Sequence, residues 1–241
     1  MRLDLYLYQN GYVGSRTEAK RYIDSEAVTV DGKCIKKPSF EVSAGAVVKV
    51  DNSIFKYVSR GGIKLEGALL KFGIEIQDKV CLDIGASSGG FTDCLLQNGA
   101  RHVIAVDSGK AQLVQKIRED TRVTSIESYN ARYMKKEDFP YTPTVAVMDV
   151  SFISATYIIK PLAEVLPQNS DFICLIKPQF EVGRQNIAKG GIVRDAAARE
   201  RAVKKVTEFA STVGFSTVNL IESPIKGGDG NIEFLAHFIR I

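Results

Sequence analysis

No C-x-x-C pair occurs among the four cysteines of this chain, Cys34, Cys81, Cys94 and Cys174, and two of them sit inside apolar, strand-like runs. That usage predicts reduced thiols in a cytoplasmic protein and argues against a zinc site, so no metal is expected. No apolar run approaches the ~18 residues that a membrane-spanning helix needs. Arg2 and Asp4 interrupt any signal-peptide core. A membrane partner and a secreted, pore-forming role are therefore not expected. Internal repeats and low-complexity tracts are missing too. An excess of one charge is small: 32 Lys+Arg against 28 Asp+Glu leaves a formal net charge of +4 over 241 residues. A chain of that length has room for one large domain, or a medium one with a small companion.

What is present is organised around Val80–Gly90, VCLDIGASSGG. A short apolar run ends in Asp83, a glycine turn follows, and the TDCLLQNGA segment then suits a helix with Leu95 and Leu96 inward. Strand, glycine turn and helix present backbone amides to a ligand in an open parallel sheet. The dinucleotide pattern G-x-G-x-x-G is not met, because Ala86 and Ser87 follow Gly85. A phosphate loop would need a Lys after its last glycine, where Phe91 stands. An acid just before the loop would repel a pyrophosphate but suits an ammonium or sulfonium. HVIAVD then ends a second apolar run in Asp107, placed to accept two ribose hydroxyls. Acid, G-x-x-x-G-G, strand, acid reads as the S-adenosyl-L-methionine half-site. Its expected cofactor contacts are Asp83, Gly85, Ala86, Ser88, Gly89, Gly90 and Asp107, with Asn130 after the third strand and Asp149 after the fourth.

Residues 1–58 read as a separate small α+β module. RLDLYLYQNG is amphipathic, with Leu3 and Leu7 on one helical face, although Leu3, Leu5 and Leu7 would also suit a strand. Ser15 and Glu18 form an S-x-x-E capping pattern that opens a helix to about Glu26. AVTVDGKCI carries Asp31-Gly32, a strong hairpin signal, and Val47–Val50 supplies a further strand. Residues 1–59 hold nine Lys+Arg against seven Asp+Glu, so only a local stripe can favour phosphate. Arg16, Lys20 and Arg21 on the helix, Lys33, Lys36 and Lys37 at the turn, and Arg60 at the joint are its members. The R-L-D opening and the S-R-x-x-A-x-x-x-I pattern (Ser15, Arg16, Ala19, Ile23) resemble the RNA-binding domain named after ribosomal protein S4.

Residues 59–63 form the joint, and residues 64–241 read as the large domain. IKLEGALLKFG is a helix bearing Lys64 near its start. Beyond Asp107 the alternation continues: AQLVQKIR as helix, RVTSIES as strand, TVAVMDVSFIS as a strand delivering Asp149, YIIKPLAEVL as helix, and DFICLIKPQFE as a strand ending in Lys177. Asp195 caps a long helix, and two final strands carry Glu233 near the start of the last. The fold class expected is α/β, a Rossmann-like and mostly parallel sheet. Ligands in such sheets sit beyond the carboxyl ends of the strands, which gathers Asp83, Asp107, Asp149 and Lys177 on one rim.

The residues after the fourth strand bear on what is methylated. Amino-group enzymes acting on bases place [N/D]-P-P-[Y/F] there, and carbon-5 cytosine enzymes need a P-C thiol. Asp149-Val150-Ser151-Phe152 has neither. A lysine, an aspartate, a second lysine and a glutamate in the order Lys64, Asp149, Lys177, Glu233 resemble the tetrad of the FtsJ-like ribose 2′-O-methyltransferases. S-R-G-G-x-K-L, D-I-G-A-S-S-G-G-F-T, D-V-S-F-I-S, K-P-Q-F-E-V-G and G-N-I-E extend the likeness. With the N-terminal module, the whole chain resembles the TlyA family of ribosomal RNA cytidine 2′-O-methyltransferases, often labelled hemolysin A. The resemblance implies S-adenosyl-L-methionine as cofactor and ribosomal RNA or a ribosomal subunit as partner. A ribose hydroxyl needs in-line geometry and a nearby base. Lys177 would be that base, held by Asp149; Lys64, oriented by Glu233, would be a second cation favouring its neutral form. A catalytically inactive RNA-binding or assembly factor is the alternative, since residues in order are not yet an activity.

Overall fold

A computed structural model describes residues 1–51, 56–227 and 230–241. It divides into two compact units, Met1–Lys56 and Tyr57–Ile241.

In the first unit, helices α1 (Leu3–Gln9) and α2 (Arg16–Asp24) accompany strands β1 (Val28–Val30), β2 (Lys33–Cys34) and β3 (Val48–Val50). The antiparallel sheet has the order β2-β1-β3. RLDLYLY takes its helical option because Leu3 and Leu7, four apart, fall together into the core with Ala19, Ile23 and Val28. Leu5, which a strand would have placed with them, is half-buried. Ser15 caps α2 by accepting the Glu18 backbone N–H at 3.1 Å. Asp31 and Gly32 take φ of 50° and 77° at the β1–β2 turn, as a two-residue hairpin with right-handed strand twist requires.

The second unit is a seven-stranded sheet. Its strands are β4 (Val80–Ile84), β5 (His102–Val106), β6 (Val123–Ile126), β7 (Val145–Met148), β8 (Asp171–Ile176), β9 (Phe215–Glu222) and β10 (Phe234–Arg240). The order is β6-β5-β4-β7-β8-β10-β9. The first five run parallel, and β10 inserts antiparallel between β8 and β9. Its helices are α3 (Gly61–Phe72), α4 (Gly90–Gln97), α5 (Gln115–Arg118), α6 (Thr156–Val165), α7 (Pro178–Glu181) and α8 (Ala196–Thr212). Strand alternation sends Leu82 and Ile84 to one face, under Ile159 and Leu162 of α6 and Val206 of α8. Cys81 and Val103 face the other way, onto Leu65 of α3 and Leu95 of α4. Both faces are covered, which is why the central strands read as nearly unbroken apolar runs.

Two readings need correction. AQLVQKIR is not helical throughout: α5 is the single turn Gln115–Arg118, after Ala111 at φ 50° and an extended Val114. The 59–63 joint is not a free linker either, because α3 already begins at Gly61. Tyr57 packs into the core of the second unit, so close that a Cβ on Gly62 would lie 2.2 Å from its ring.

Candidate active site

Sheet register explains how residues far apart in sequence meet. Ile84 pairs with Val106 on one side and Met148 on the other. Gly85, Asp107 and Asp149 each follow directly, so all three leave the sheet at one level. The order reverses between β4 and β7, the switch point where such sheets bind ligands. On β10, Phe234 pairs with Ile176. The antiparallel direction then brings Glu233 level with Lys177. Lys64 reaches the same place from the first turn of α3.

The Gly85–Gly90 loop turns tightly. Gly85 has φ 84°, and a Cβ there would lie 2.6 Å from the Asp149 carbonyl oxygen. Asp107 fixes the loop from the next strand: its Oδ2 accepts the Ser87 N–H at 2.8 Å and its Oδ1 the Gly109 N–H at 2.7 Å. A cavity of about 370 Å³ opens between them, lined by Gly85, Asp107, Asn130 and Asp149 with apolar walls from Val106 and Ile158. Asn130 caps a short 3-10 turn (Ala131–Tyr133) through the Arg132 N–H. Carboxylates beside apolar walls suit a ligand that joins a flat ring, a ribose and a cationic group, so the residues present fit S-adenosyl-L-methionine. Neither Asp83 nor Gly89 lines this cavity. Asp83 is fully buried behind the loop, accepting the Thr92 hydroxyl at 2.6 Å. Burial, with the Asp149 and Asp107 charges adding to it, pushes its carboxyl up to about 7 against the Thr92 hydrogen bond. Gly89 faces Leu113 and Ile117.

A second cavity of about 290 Å³ adjoins, where Ala86, Ser88 and Gly90 of the loop meet Lys64, Asp149 and Lys177. The tetrad is two ion pairs. Lys177 Nζ lies 2.5 Å from Asp149 Oδ1 and donates to Ser151 Oγ at 2.8 Å. Lys64 Nζ lies 2.6 Å from Glu233 Oε2, with side chains only 10% and 2% exposed. Gln179 Nε2 donates to the other Glu233 oxygen at 3.5 Å. Each lysine therefore has its own carboxylate, and Lys64 does not confront Lys177 as an uncompensated cation. Removing one member of so buried a pair strands the other. Ser151, Gln179 and Phe152 escaped the sequence reading, although D-V-S-F and K-P-Q-F-E contain all three. Phe152 is 92% exposed at φ 64°, next to Phe180.

The cationic stripe of the first unit is more divided than its sequence suggests. Arg16 pairs with Asp4 at 2.7 Å, Arg21 with Glu18 at 3.5 Å and Lys36 with Glu26 at 2.7 Å. Hydrogen bonds from Arg2 and Arg16 hold the Asp4 carboxyl well below the usual carboxylate range. Lys20, Lys33 and Lys37 make no ion pair among the described residues. Arg60 belongs to another place, the rim of the cavity that holds Lys64 and Lys177. No cluster of His, Cys, Asp and Glu suited to a metal occurs among the described residues, and no helix there is long and apolar enough to cross a membrane.

The family model for FtsJ-like methyltransferase matches residues 57–240, and that for the S4 domain matches residues 1–48. Hemolysin A of Brachyspira hyodysenteriae is 47% identical over 240 residues, 99% of this chain and 100% of that protein. The 16S/23S rRNA (cytidine-2′-O)-methyltransferase TlyA of Mycobacterium tuberculosis is 39% identical over 97% of this chain and 87% of its own length. A solved structure, "Putative hemolysin from Streptococcus thermophilus", superposes with a TM-score of 0.80 at 45% identity, covering 100% of this chain and 88% of that one.

Proposed function

Because the chain belongs to the FtsJ-like methyltransferase family and carries an S4 domain, we propose that it methylates the ribose 2′-hydroxyl of a nucleotide in ribosomal RNA, with cytidine as the target nucleoside. The observation that carries this reading is the pairing of Lys177 with Asp149 and of Lys64 with Glu233 at the mouth of the glycine-loop cavity. S-adenosyl-L-methionine supplies a methyl carbon already activated by its sulfonium. Asp107, Asn130, Asp149 and the loop backbone from Gly85 to Gly90 would hold it.

The remaining work lies at the hydroxyl, which must be aligned and relieved of its proton. Lys177, steadied by Asp149 and Ser151, is the group that meets the hydroxyl oxygen. As that oxygen becomes an ether, its proton passes to Lys177, and Lys177 hands one of its own to Asp149. Glu233 keeps the Lys64 ammonium fixed beside the reacting groups, where it lends positive charge to an oxygen gaining negative character. Lys20, Lys33 and Lys37, with Arg16, Arg21 and Lys36 once their carboxylates yield, give the S4 domain its hold on phosphate. An enzyme of this kind works where ribosomes are built, in the cytoplasm.

The lysine–carboxylate pairs also favour an enzyme over an inactive assembly factor. An RNA-binding scaffold gains nothing from a buried Lys64–Glu233 pair, whose desolvation is costly, beside a half-buried Lys177–Asp149 pair. Incubating the protein with ribosomal RNA and tritiated S-adenosyl-L-methionine tests the reading. Label should enter the RNA with the wild-type chain and fail to enter with Lys177→Ala; RNA left unlabelled by the wild type on naked RNA and on both ribosomal subunits would reject it.

A further inference from the structure

The second unit exposes aromatic surface that the catalytic arrangement leaves unused. Tyr133 is 69% exposed and Tyr157 61%. They flank a groove of about 490 Å³ between the Ala131–Tyr133 turn and α6, floored by Met134, Pro161 and the half-buried Phe209. Large rings are seldom left in water without a purpose when they share one concave patch. Three cations stand round this one, Arg132, Lys135 and Lys160, against the single carboxylate of Glu164. None of the three cations makes an ion pair among the described residues. The Arg132 guanidinium lies 5.6 Å from the Tyr133 ring centroid. Arg132 and Tyr157 also line a wider cleft that contains Ser151 and Phe152, and Ser151 is the hydrogen-bond partner of Lys177. The groove thus adjoins, through Arg132 and Tyr157, the cleft that reaches Ser151.

We propose that this groove seats an unpaired stretch of RNA flanking the methylated nucleotide. Its bases stack on Tyr133 and Tyr157, and its phosphates meet Arg132, Lys135 and Lys160. The proposal rests on the reading of the chain as an RNA methyltransferase and adds where the strand runs. Charge decides for RNA over a protein segment: three cations against one lining carboxylate, beside exposed aromatic rings, complement a polyanion whose bases are π-surfaces. Base faces are hidden in a duplex, so the occupant is single-stranded.

The test uses the full chain, a short single-stranded RNA carrying 4-thiouridine and a duplex of the same sequence. With Tyr133→Ala/Tyr157→Ala, affinity for the single strand should fall about tenfold or more, the scale of base stacking on an aromatic ring. Affinity for the duplex and for S-adenosyl-L-methionine should stay within about twofold. Tyr133→Phe/Tyr157→Phe, which keeps the rings, should bind as the wild type does. Ultraviolet cross-links in the wild type should map to peptides containing Tyr133 or Tyr157. Equal binding by the alanine variant, or cross-links confined to other surfaces, would overturn the proposal. So would unchanged RNA binding combined with abolished transfer on intact ribosomal subunits, which would assign the groove to a ribosomal protein. None of the binding readouts requires turnover, so failure of methyl transfer by the wild type would count against the enzymatic reading alone.

Discussion

The two units use their positive charge in opposite ways. In the first, Arg16, Arg21 and Lys36 lie on the surface against carboxylates, while Lys20, Lys33 and Lys37 are unpaired among the described residues. In the second, Lys64 and Lys177 are withdrawn from water and each is fixed to one acid. Exposed charges are screened, mobile and interchangeable, worth little singly and useful in number. Buried pairs are costly to assemble and intolerant of loss. The first arrangement suits holding a long polyanion, and the second suits chemistry at one atom.

The comparison breaks most sharply at Lys177. Lys177→Ala should lower the rate of transfer about 10³-fold or more, the scale for removing a general base together with its alignment, and leave S-adenosyl-L-methionine affinity within about twofold. Single-turnover kinetics beside calorimetry on the folded variant checks both halves. Substantial residual turnover would remove Lys177 as the base and leave it a positioning role.

Next in size is the buried pair. Glu233→Ala leaves the Lys64 ammonium without its carboxylate and should cost roughly 3–5 kcal/mol of stability. Denaturant unfolding measures the loss, and Lys64→Met combined with Glu233→Ala should recover part of it. In the first unit, Glu26→Ala, which exposes Lys36 in the same formal sense, should cost under about 1 kcal/mol.

Asp83 sharpens the contrast through pH. Its carboxyl is raised to about 7 in the folded chain from an ordinary value of 3.8. Between those values the folded chain keeps a proton that the unfolded chain has released, so stability is greatest below about pH 4 for this group and falls as pH rises to about 7. The full swing is of order 4 kcal/mol. Asp83→Asn, which still accepts from Thr92, should flatten that part of a stability-against-pH curve, and an unchanged slope would show that Asp83 is ionised when folded.

Smallest per residue are the exposed lysines. Replacing Lys20, Lys33 and Lys37 by Ala should weaken RNA binding and reduce its salt slope by about one unit for each phosphate that is no longer neutralised. Transfer rate at saturating RNA should hardly change.

Much of this was legible in the sequence, for reasons that differ by region. Asp31-Gly32 announced its hairpin because few dipeptides reach the backbone angles such a turn needs. Asp107, Asp149 and Lys177 could be placed on one rim because each directly follows an apolar strand and parallel register does the rest, whereas Asp83, expected with them, lies inside β4 and is fully buried. Pairing across the chain was less visible. Arg16 meets Asp4 from a neighbouring helix, and no local pattern records which exposed arginine will find an acid. The hydrogen bond from Thr92, in the first turn of α4, to the buried Asp83 has no signature in the sequence. AQLVQKIR has helical periodicity, but Ala111 in the left-handed region and the extended Val114 leave only its last turn. Phe152 at positive φ has no sequence signal, since a bulky residue there is held by its surroundings and not by its own preference.

The most direct measurement asks where the methyl group sits. Ribosomal RNA labelled by the wild-type protein and tritiated S-adenosyl-L-methionine is hydrolysed in alkali, which cannot cleave next to a ribose lacking its free 2′-hydroxyl. If Lys177 and its paired neighbours act on that hydroxyl, the label must appear in alkali-resistant dinucleotides, and must vanish from them with Lys177→Ala. Label recovered in ordinary mononucleotides would place the methyl on a base and contradict the account.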